Sequence, residues 1–493
     1  MKITNDIDNK LTSNENENVL YKSNEKTNSY KNYKVYHLNT VLIFILGALG
    51  GLLFGFDTGV ISGASPLIES AFKLNISQTS FVTSSVLIGS SVGALSIGTL
   101  SDKFGRKKML IVASILFILG SILSAFAVGF VSMCMARIIL GLAVGGASGL
   151  TPSYLAELAE AEHRGTITGM FQFMITTGIL LAYIINIAFL HHNLLGWSDW
   201  RWMLGSALVP AILLFIGSII IPESPRYLVQ IGKINEAEEV LDILRDNTKS
   251  DPKNELNDIK NIIKQEKSNK GSIHELFKVA SPSVFVAIFI MLFQQLVGIN
   301  SIVYYLPQIF IKAFNFPDSK AIWISIGMEI LSFITTILSV ILMDKFNRKS
   351  FLLFGSITMA ICLVIISIMS FTMNIKAAAI PTIILIAVYH FAFSISWGPI
   401  AWILIAEIFP LNVRGIGNSI GSAANWIGDF LVTQFFLIIL AMFHNKIGGP
   451  FMVFAVFSVL SIFFVIFFVP ETRGKTLEQI EMELRHRHHL LLK

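Results

Sequence analysis

The sequence predicts an all-α polytopic membrane protein: twelve transmembrane helices in two six-helix pseudo-repeats, with short cytoplasmic helices. Three observations carry that prediction. Of 493 residues, 54% are hydrophobic and only 14% charged, and the mean hydropathy is +0.68. A soluble domain carries about a quarter charged residues. Twelve apolar runs come near the ~20 residues that a helix needs to cross a bilayer. The third observation is an ordered set of motifs that occurs twice.

Residues 1–37 are polar and rich in Asn, Lys and Glu, with no apolar core of a signal peptide. They are expected to form a disordered cytoplasmic tail. The apolar runs follow near 40–63, 80–100, 108–128, 131–153, 167–190 and 203–221, then 282–311, 321–343, 350–372, 380–405, 416–441 and 450–469. The expected units are a six-helix half over 38–222, a cytoplasmic helical linker over 223–280, a second half over 281–470 and a tail over 471–493. In the linker, Ile234, Ala237, Val240, Leu241 and Leu244 repeat at helical spacing among acidic residues. Asp258–Ile263 suggests a second linker helix, and Leu477, Ile480 and Leu484 suggest one in the tail.

The net charge of +5 is gathered in short clusters between runs: Lys103, Arg106, Lys107 and Lys108, then Arg164, then the long linker, Lys345, Arg348 and Lys349, Arg414, and Arg473 and Lys475. These occupy alternate loops. Both termini and the linker are therefore expected in the cytoplasm, with the chain in the plasma or inner membrane. Such clusters set topology and do not point to nucleic acid. Cys134 and Cys362 fall inside apolar runs, which argues against a disulfide scaffold.

The repetition is specific. Asp102-Lys103-Phe104-Gly105-Arg106-Lys107 recurs as Asp344-Lys345-Phe346-Asn347-Arg348-Lys349, at an offset of 242 residues. Glu157 with Arg164 recurs as Glu407 with Arg414, and Pro222-Glu223 recurs as Pro470-Glu471, at offsets of 250 and 248. Six spans per half is an even number, so the halves share one orientation. Parallel halves with a substrate between them describe alternating access by rocking.

Inside the first run lies Gly50-Gly51-Leu52-Leu53-Phe54-Gly55-Phe56-Asp57-Thr58-Gly59, with Gly63 beyond. A carboxylate at mid-membrane depth costs about 2.5–3.5 kcal/mol on insertion scales. Asp57 is thus either a structural ion-pair partner or a group that gains and loses a proton. Its glycines permit close helix contact. Arg137, in the fourth run, is its natural partner in the first half. If rocking separates the pair, Asp57 takes a proton from one side, and when the pair reforms it releases that proton on the other.

These residues, with Arg137-Ile138-Ile139-Leu140-Gly141, Pro222-Glu223-Ser224-Pro225-Arg226, Gln294-Gln295-Leu296-Val297-Gly298-Ile299-Asn300, Tyr304-Tyr305, Trp397-Gly398-Pro399 with Trp402, and Pro470-Glu471-Thr472-Arg473-Gly474, resemble the sugar porter family of the major facilitator superfamily. The match covers about 40–482. The resemblance implies the major facilitator fold, no catalytic role and no cofactor beyond a proton as coupling ion. It also implies a carrier that works as a monomer.

Amide side chains donate and accept, as sugar hydroxyls do, and aromatic rings cover the C–H face of a sugar. Apolar runs here contain Gln172, Gln294, Gln295, Asn300, Asn425, Trp397 and Trp426. Gln294 and Asn425 are expected on opposite sides of the seam between halves. The family resemblance implies that this set holds a pyranose, with Phe54 and Tyr304 lining the pocket. It likewise implies that Asp57 and Arg137 couple the proton. Asp102, Arg106, Glu157 and Arg164, mirrored by Asp344, Arg348, Glu407 and Arg414, would form a cytoplasmic latch. Arg137 is the one mid-depth cation and has Asp57 as a competing use, so the substrate is expected to be uncharged.

Three departures from the family stand out. Asn347 replaces a glycine, where a left-handed backbone is expected. Glu329 and Asp429 replace neutral or amide residues, and each either titrates, tunes selectivity or faces water near a span end. His390 is expected to be packed and hydrogen-bonded. The leading function is symport of a proton with a monosaccharide. The alternatives are facilitated sugar or polyol uniport and a non-transporting sugar sensor; no constellation suits an enzyme, a metal or a nucleotide.

Overall fold

The structure, a computed structural model, describes residues 40–160, 164–192, 196–245, 252–268, 274, 276, 277, 280–342, 347–409 and 413–473. Asp344, the expected N-terminal tail and the expected tail helix on Leu477, Ile480 and Leu484 lie outside the described residues, as do the side chains of Arg164 and Arg414.

The described chain is helical throughout. Helices α1 (Thr40–Phe72), α2 (Ile76–Phe104), α3 (Arg106–Ala125), α4 (Phe130–Leu158) and α5 (Arg164–Phe189) are single spans. The sixth is stepped, as α6 (Asp199–Gly205) and α7 (Leu208–Ile220). The linker holds α8 (Pro225–Gln230), α9 (Ile234–Leu244) and α10 (Pro252–Ser268). The second half runs α11 (Ser281–Leu296), α12 (Ile299–Phe314), α13 (Asp318–Leu342), α14 (Arg348–Thr372), α15 (Ile375–Ile395), α16 (Trp397–Glu407), α17 (Arg414–Met442) and α18 (Gly448–Phe467). Twelve stretches among these residues are long and apolar enough to cross a membrane. One face of the bundle carries the linker helices and is called the linker face; the other is the far face.

Helices outrun their apolar runs where polar residues find partners. α1 continues nine residues past Gly63 because Glu69 pairs with Lys312 of α12 at 3.0 Å. α2 begins at Ile76 because Asn75 and Gln78 bond each other's backbone N–H, a reciprocal capping box.

Two expected single spans are broken. The run at 282–311 divides at Val297-Gly298, where Gly298 has φ 98°. A β-carbon there would collide with the Phe454 ring. The Val297 carbonyl at the break accepts a hydrogen bond from the Tyr389 hydroxyl at 2.9 Å. The run at 380–405 divides at Ser396, three residues before Pro399, whose missing N–H cannot serve the Ile395 carbonyl. Broken helices persist at membrane depth only where neighbours satisfy the freed backbone groups.

The linker helices are amphipathic, as their spacing predicts. Ala237, Val240, Leu241 and Leu244 are buried in a cluster that includes Leu155 and Leu158 of α4. Arg245 secures them. It grips Glu255 through two 2.7 Å bonds and donates to the Leu158 carbonyl at 2.8 Å. Outward-facing Val131, Val209, Ile380 and Ile361 remain exposed, as a lipid-facing belt requires.

Candidate functional site in the seam between the halves

Asp57 owes its place to a glycine row. Gly51, Gly55, Gly59 and Gly63 recur every four residues on one face of α1. A β-carbon at Gly55 would fall on the Ile175 carbonyl of α5, and one at Gly178 would fall on the Leu52 carbonyl. Only small residues let two helix backbones meet this closely. With α1 pressed against α5, Asp57 turns toward α4, where the Arg137 Nη1 donates to its Oδ1. Asp57 is 5% exposed and Arg137 is fully buried. The guanidinium's Nε and Nη2 have no hydrogen-bond partner among the described residues. A buried charge so sparsely bonded depends on its one carboxylate.

Across the seam, the amides gather at the two helix breaks. Gln294 Nε2 donates to the Trp397 and Gly398 carbonyls at 3.0 and 3.1 Å, at the start of α16. Asn425 Nδ2 donates to Gln294 Oε1, and Gln295 Nε2 donates to Asn425 Oδ1 at 3.2 Å. Asn300, two residues past the first break, donates to Asp429 Oδ2 at 2.8 Å. Gln294 and Asn425 therefore do not face each other across the seam. Both lie within 281–470 and so belong to the second half, where α11 and α17 pack side by side. Phe54 of α1 reaches this cluster from the first half: its ring lies 5.4 Å from that of Trp426. Trp426 is 2% exposed with its indole N–H unpartnered among the described residues. Trp397 behaves differently. Its indole N–H donates to Ser356 Oγ at 2.9 Å, away from the amides, and only its carbonyl meets them. Gln172 is half-buried on α5. Tyr304 is buried on α12 beside Thr58, within electrostatic reach of Asp57, Arg137 and Asp429.

Neither Glu329 (3% exposed) nor Asp429 (0%) faces water near a span end; both are buried. Asp429 also accepts from Thr433 at 3.2 Å, whereas Glu329 Oε1 has no partner among the described residues. His390 is buried, and its Nδ1 lies 3.3 Å from Ser332 Oγ. Asn347 does not use the left-handed region: with φ −71° and ψ 134° it is an extended residue preceding α14. Gly105, at φ 100°, does use it. The two loops thus start their helices differently despite the repeated motif.

At the linker face, Arg106 bonds Asp102 and Glu157, each at 2.9 Å, and Arg348 lies 3.8 Å from Glu407. Each of these pairs stays within its own half. The glutamate of the repeated Pro-Glu motif caps a helix in each half. Glu223 Oε1 accepts from the N–H groups of Arg106 and Lys107 at 2.9 and 3.1 Å, capping the first turn of α3. Glu471 does the same for Arg348 and Lys349 at 3.1 Å each, capping α14. The repetition of Pro222-Glu223 as Pro470-Glu471 was the available signal.

At the far face the halves are tied together. Gln308 donates to Ser65 at 2.9 Å, Ser84 donates to Gln434 at 2.7 Å, and Lys312 pairs with Glu69. Tyr183 of α5 donates to the Val303 carbonyl at 2.9 Å. Two halves joined at one end, with an ion pair and an amide cluster at the seam, define a membrane carrier of the alternating-access type.

Comparison with known proteins agrees. The family model for sugar (and other) transporters matches residues 43–484. The chain is 44% identical to a D-xylose transporter of Levilactobacillus brevis, over 91% of this chain and 96% of that one. It is 37% identical to the galactose-proton symporter of Escherichia coli K12, over 90% and 94%. The proton:xylose symporter XylE bound to 6-bromo-6-deoxy-D-glucose superposes with a TM-score of 0.76 at 32% identity, over 90% of this chain and 99% of that one. XylE in a partially occluded inward-open conformation gives 0.78 at 31% identity, over 89% and 99%. The chain belongs to the sugar porter family of the major facilitator superfamily. It is a multi-pass membrane transporter and not an enzyme.

Proposed function

We propose that this chain imports a monosaccharide together with a proton, as a monomer in the cell membrane with both termini in the cytoplasm. The observation that carries the reading is the buried Asp57–Arg137 pair on one side of a seam whose other side is an amide cluster. The L. brevis D-xylose transporter and the E. coli galactose-proton symporter support a pentose or hexose as cargo and a proton as the coupling ion. No cofactor beyond that proton enters the cycle.

Sugar is held by Gln172, Gln294, Gln295, Asn300 and Asn425, with Phe54, Tyr304 and Trp426 over its C–H face. Trp397 shapes the site through the break before α16. The halves are tied at the far face, and in this reading the cycle next opens at the linker face, which the positive-inside rule assigns to the cytoplasm. Here Asp57 is bonded to Arg137, as a carboxylate that has delivered its proton. When the halves rock and the far face opens, Arg137 withdraws, and the buried carboxylate takes a proton from outside because its charge has lost its partner. Sugar binding to the protonated carrier permits the return. The Asp102–Arg106–Glu157–Arg164 set and its counterpart Asp344–Arg348–Glu407–Arg414 then close the linker face.

Uptake of a radiolabelled monosaccharide panel into energised vesicles tests the proposal. Accumulation above the external level that collapses with a protonophore is expected. Asp57→Asn should abolish accumulation and spare exchange of labelled for unlabelled sugar. Accumulation that survives in Asp57→Asn would sink the coupling assignment, and uptake indifferent to the protonophore would make the chain a uniporter.

A further inference from the structure

The cycle above leaves one carboxyl of the site without a task. Asp429 lies one turn beyond Asn425 on α17 and is 0% exposed. Its Oδ2 accepts from Asn300 and its Oδ1 from Thr433. Both donors are neutral. α17 packs against α2, α11, α12, α16 and α18. From α12, Tyr304 and Tyr305 come within electrostatic reach of Asp429. α11 and α18 contain no ionisable residue, while those of α2 and α16 (Asp102 and Lys103, and Glu407) lie at their linker ends. Lys312 of α12 pairs with Glu69 at the far face, and Tyr304 is also within electrostatic reach of Asp57 and Arg137. No cation contacts this carboxyl among the described residues.

An amide has two unlike ends. One N–H of Asn300 is committed to Asp429, which fixes the plane of the amide and leaves its carbonyl oxygen and its other N–H to meet a sugar hydroxyl. We propose that Asp429 is a positioning residue: as a carboxylate it holds Asn300 with the carbonyl toward the sugar, and it gives the site a second titrating group, independent of Asp57. The inference rests on the reading of Asn300 as a sugar ligand. When Asp429 takes a proton, one of its acceptors becomes an O–H donor. A neutral carboxyl is a weaker acceptor than a carboxylate, so the hold on the amide loosens, the amide is freer to turn, and the sugar hydroxyl that donated to its carbonyl is held less well. One neutral hydrogen bond corresponds to roughly threefold to tenfold in affinity.

The test measures binding of D-xylose and D-glucose to the purified full chain from acid to alkaline pH, in the Asp57→Asn background, where the coupling pair no longer titrates. Affinity is expected to fall threefold to tenfold on acidification. In Asp57→Asn/Asp429→Asn the profile should be flat. Thr433→Val in the same background keeps the carboxyl but removes a donor to its charged form, so the transition should move to higher pH. That variant decides the matter if Asp429→Asn does not fold. A flat profile in Asp57→Asn alone, an unchanged profile in the double variant, or an unmoved transition in Thr433→Val overturns the proposal. Asn300→Ala separates the two readings. If it leaves sugar affinity unchanged, the sugar-site reading itself fails; if it weakens binding while the pH profiles disagree, only the role of Asp429 fails.

Discussion

At the scale of the residue, the buried ionisable groups differ in how they are held. Arg137 has one carboxylate, Asp429 has two neutral donors, and Glu329 Oε1 has none among the described residues. An unbonded buried polar group costs about 1–3 kcal/mol. Glu329→Leu is therefore expected to stabilise the fold by about that amount, read as a rise in thermal midpoint in detergent. A fall would show that Glu329 is satisfied in the folded protein. Asp57, Arg137 and the amides were legible in the sequence because polar residues are conspicuous in apolar runs. What each of them bonds was not legible. Gln294 and Asn425 bond each other within one half, and the Trp397 indole turns away to Ser356, since side-chain direction follows from packing at the breaks.

At the scale of the element, two devices position the site. The glycine row sets the distance between α1 and α5. Gly55→Ala should cost about 1–3 kcal/mol by overpacking, seen as a lower thermal midpoint and less folded protein in the membrane. Glu223 caps α3. Burial lifts its carboxyl above the ordinary glutamate value of 4.5, partly opposed by the N–H groups of Ser224, Lys107 and Arg106. The folded state thus holds the Glu223 proton more tightly than the unfolded state. Its contribution is fullest below about 4.5 and is lost as pH rises through the higher folded value. Compared with Glu223→Gln, the wild type should be relatively more stable in acid, and the difference should decline on alkalinisation. Thermal melts of both proteins across pH check this. The span count was legible from hydropathy, because each apolar run needs a bilayer's thickness of helix. The breaks at Gly298 and Ser396 were not, because apolar composition continues across them. Gly298 and Pro399 mark them only once Tyr389 and Gln294 are seen to serve the backbone there.

At the scale of the whole molecule, a few polar contacts tie the halves together at the far face. A half-buried ion pair such as Lys312–Glu69 contributes about 1 kcal/mol, and a hydrogen bond such as Gln308–Ser65 contributes about 1. Lys312→Gln/Gln308→Leu should shift the balance toward the far-open arrangement by roughly tenfold. Distances between spin labels at the far ends of α1 and α12 would report it. An unchanged distribution would place the closure in the apolar contacts of α2 with α17 and of α5 with α13.

The sequence by itself determined the class of molecule, the number of spans, the doubling of the halves and the family. These depend on composition, on run length and on the order of short motifs, all of which are properties of the chain as written. The tertiary structure decided which polar groups meet. It paired the amides of α11 and α17 with each other, confined the latch pairs Arg106–Glu157 and Arg348–Glu407 within their halves, and buried Asp429 against Asn300. Partnership in a membrane interior depends on helix rotation and on backbone breaks. Those are fixed by close packing between segments far apart in sequence, and no local pattern records them.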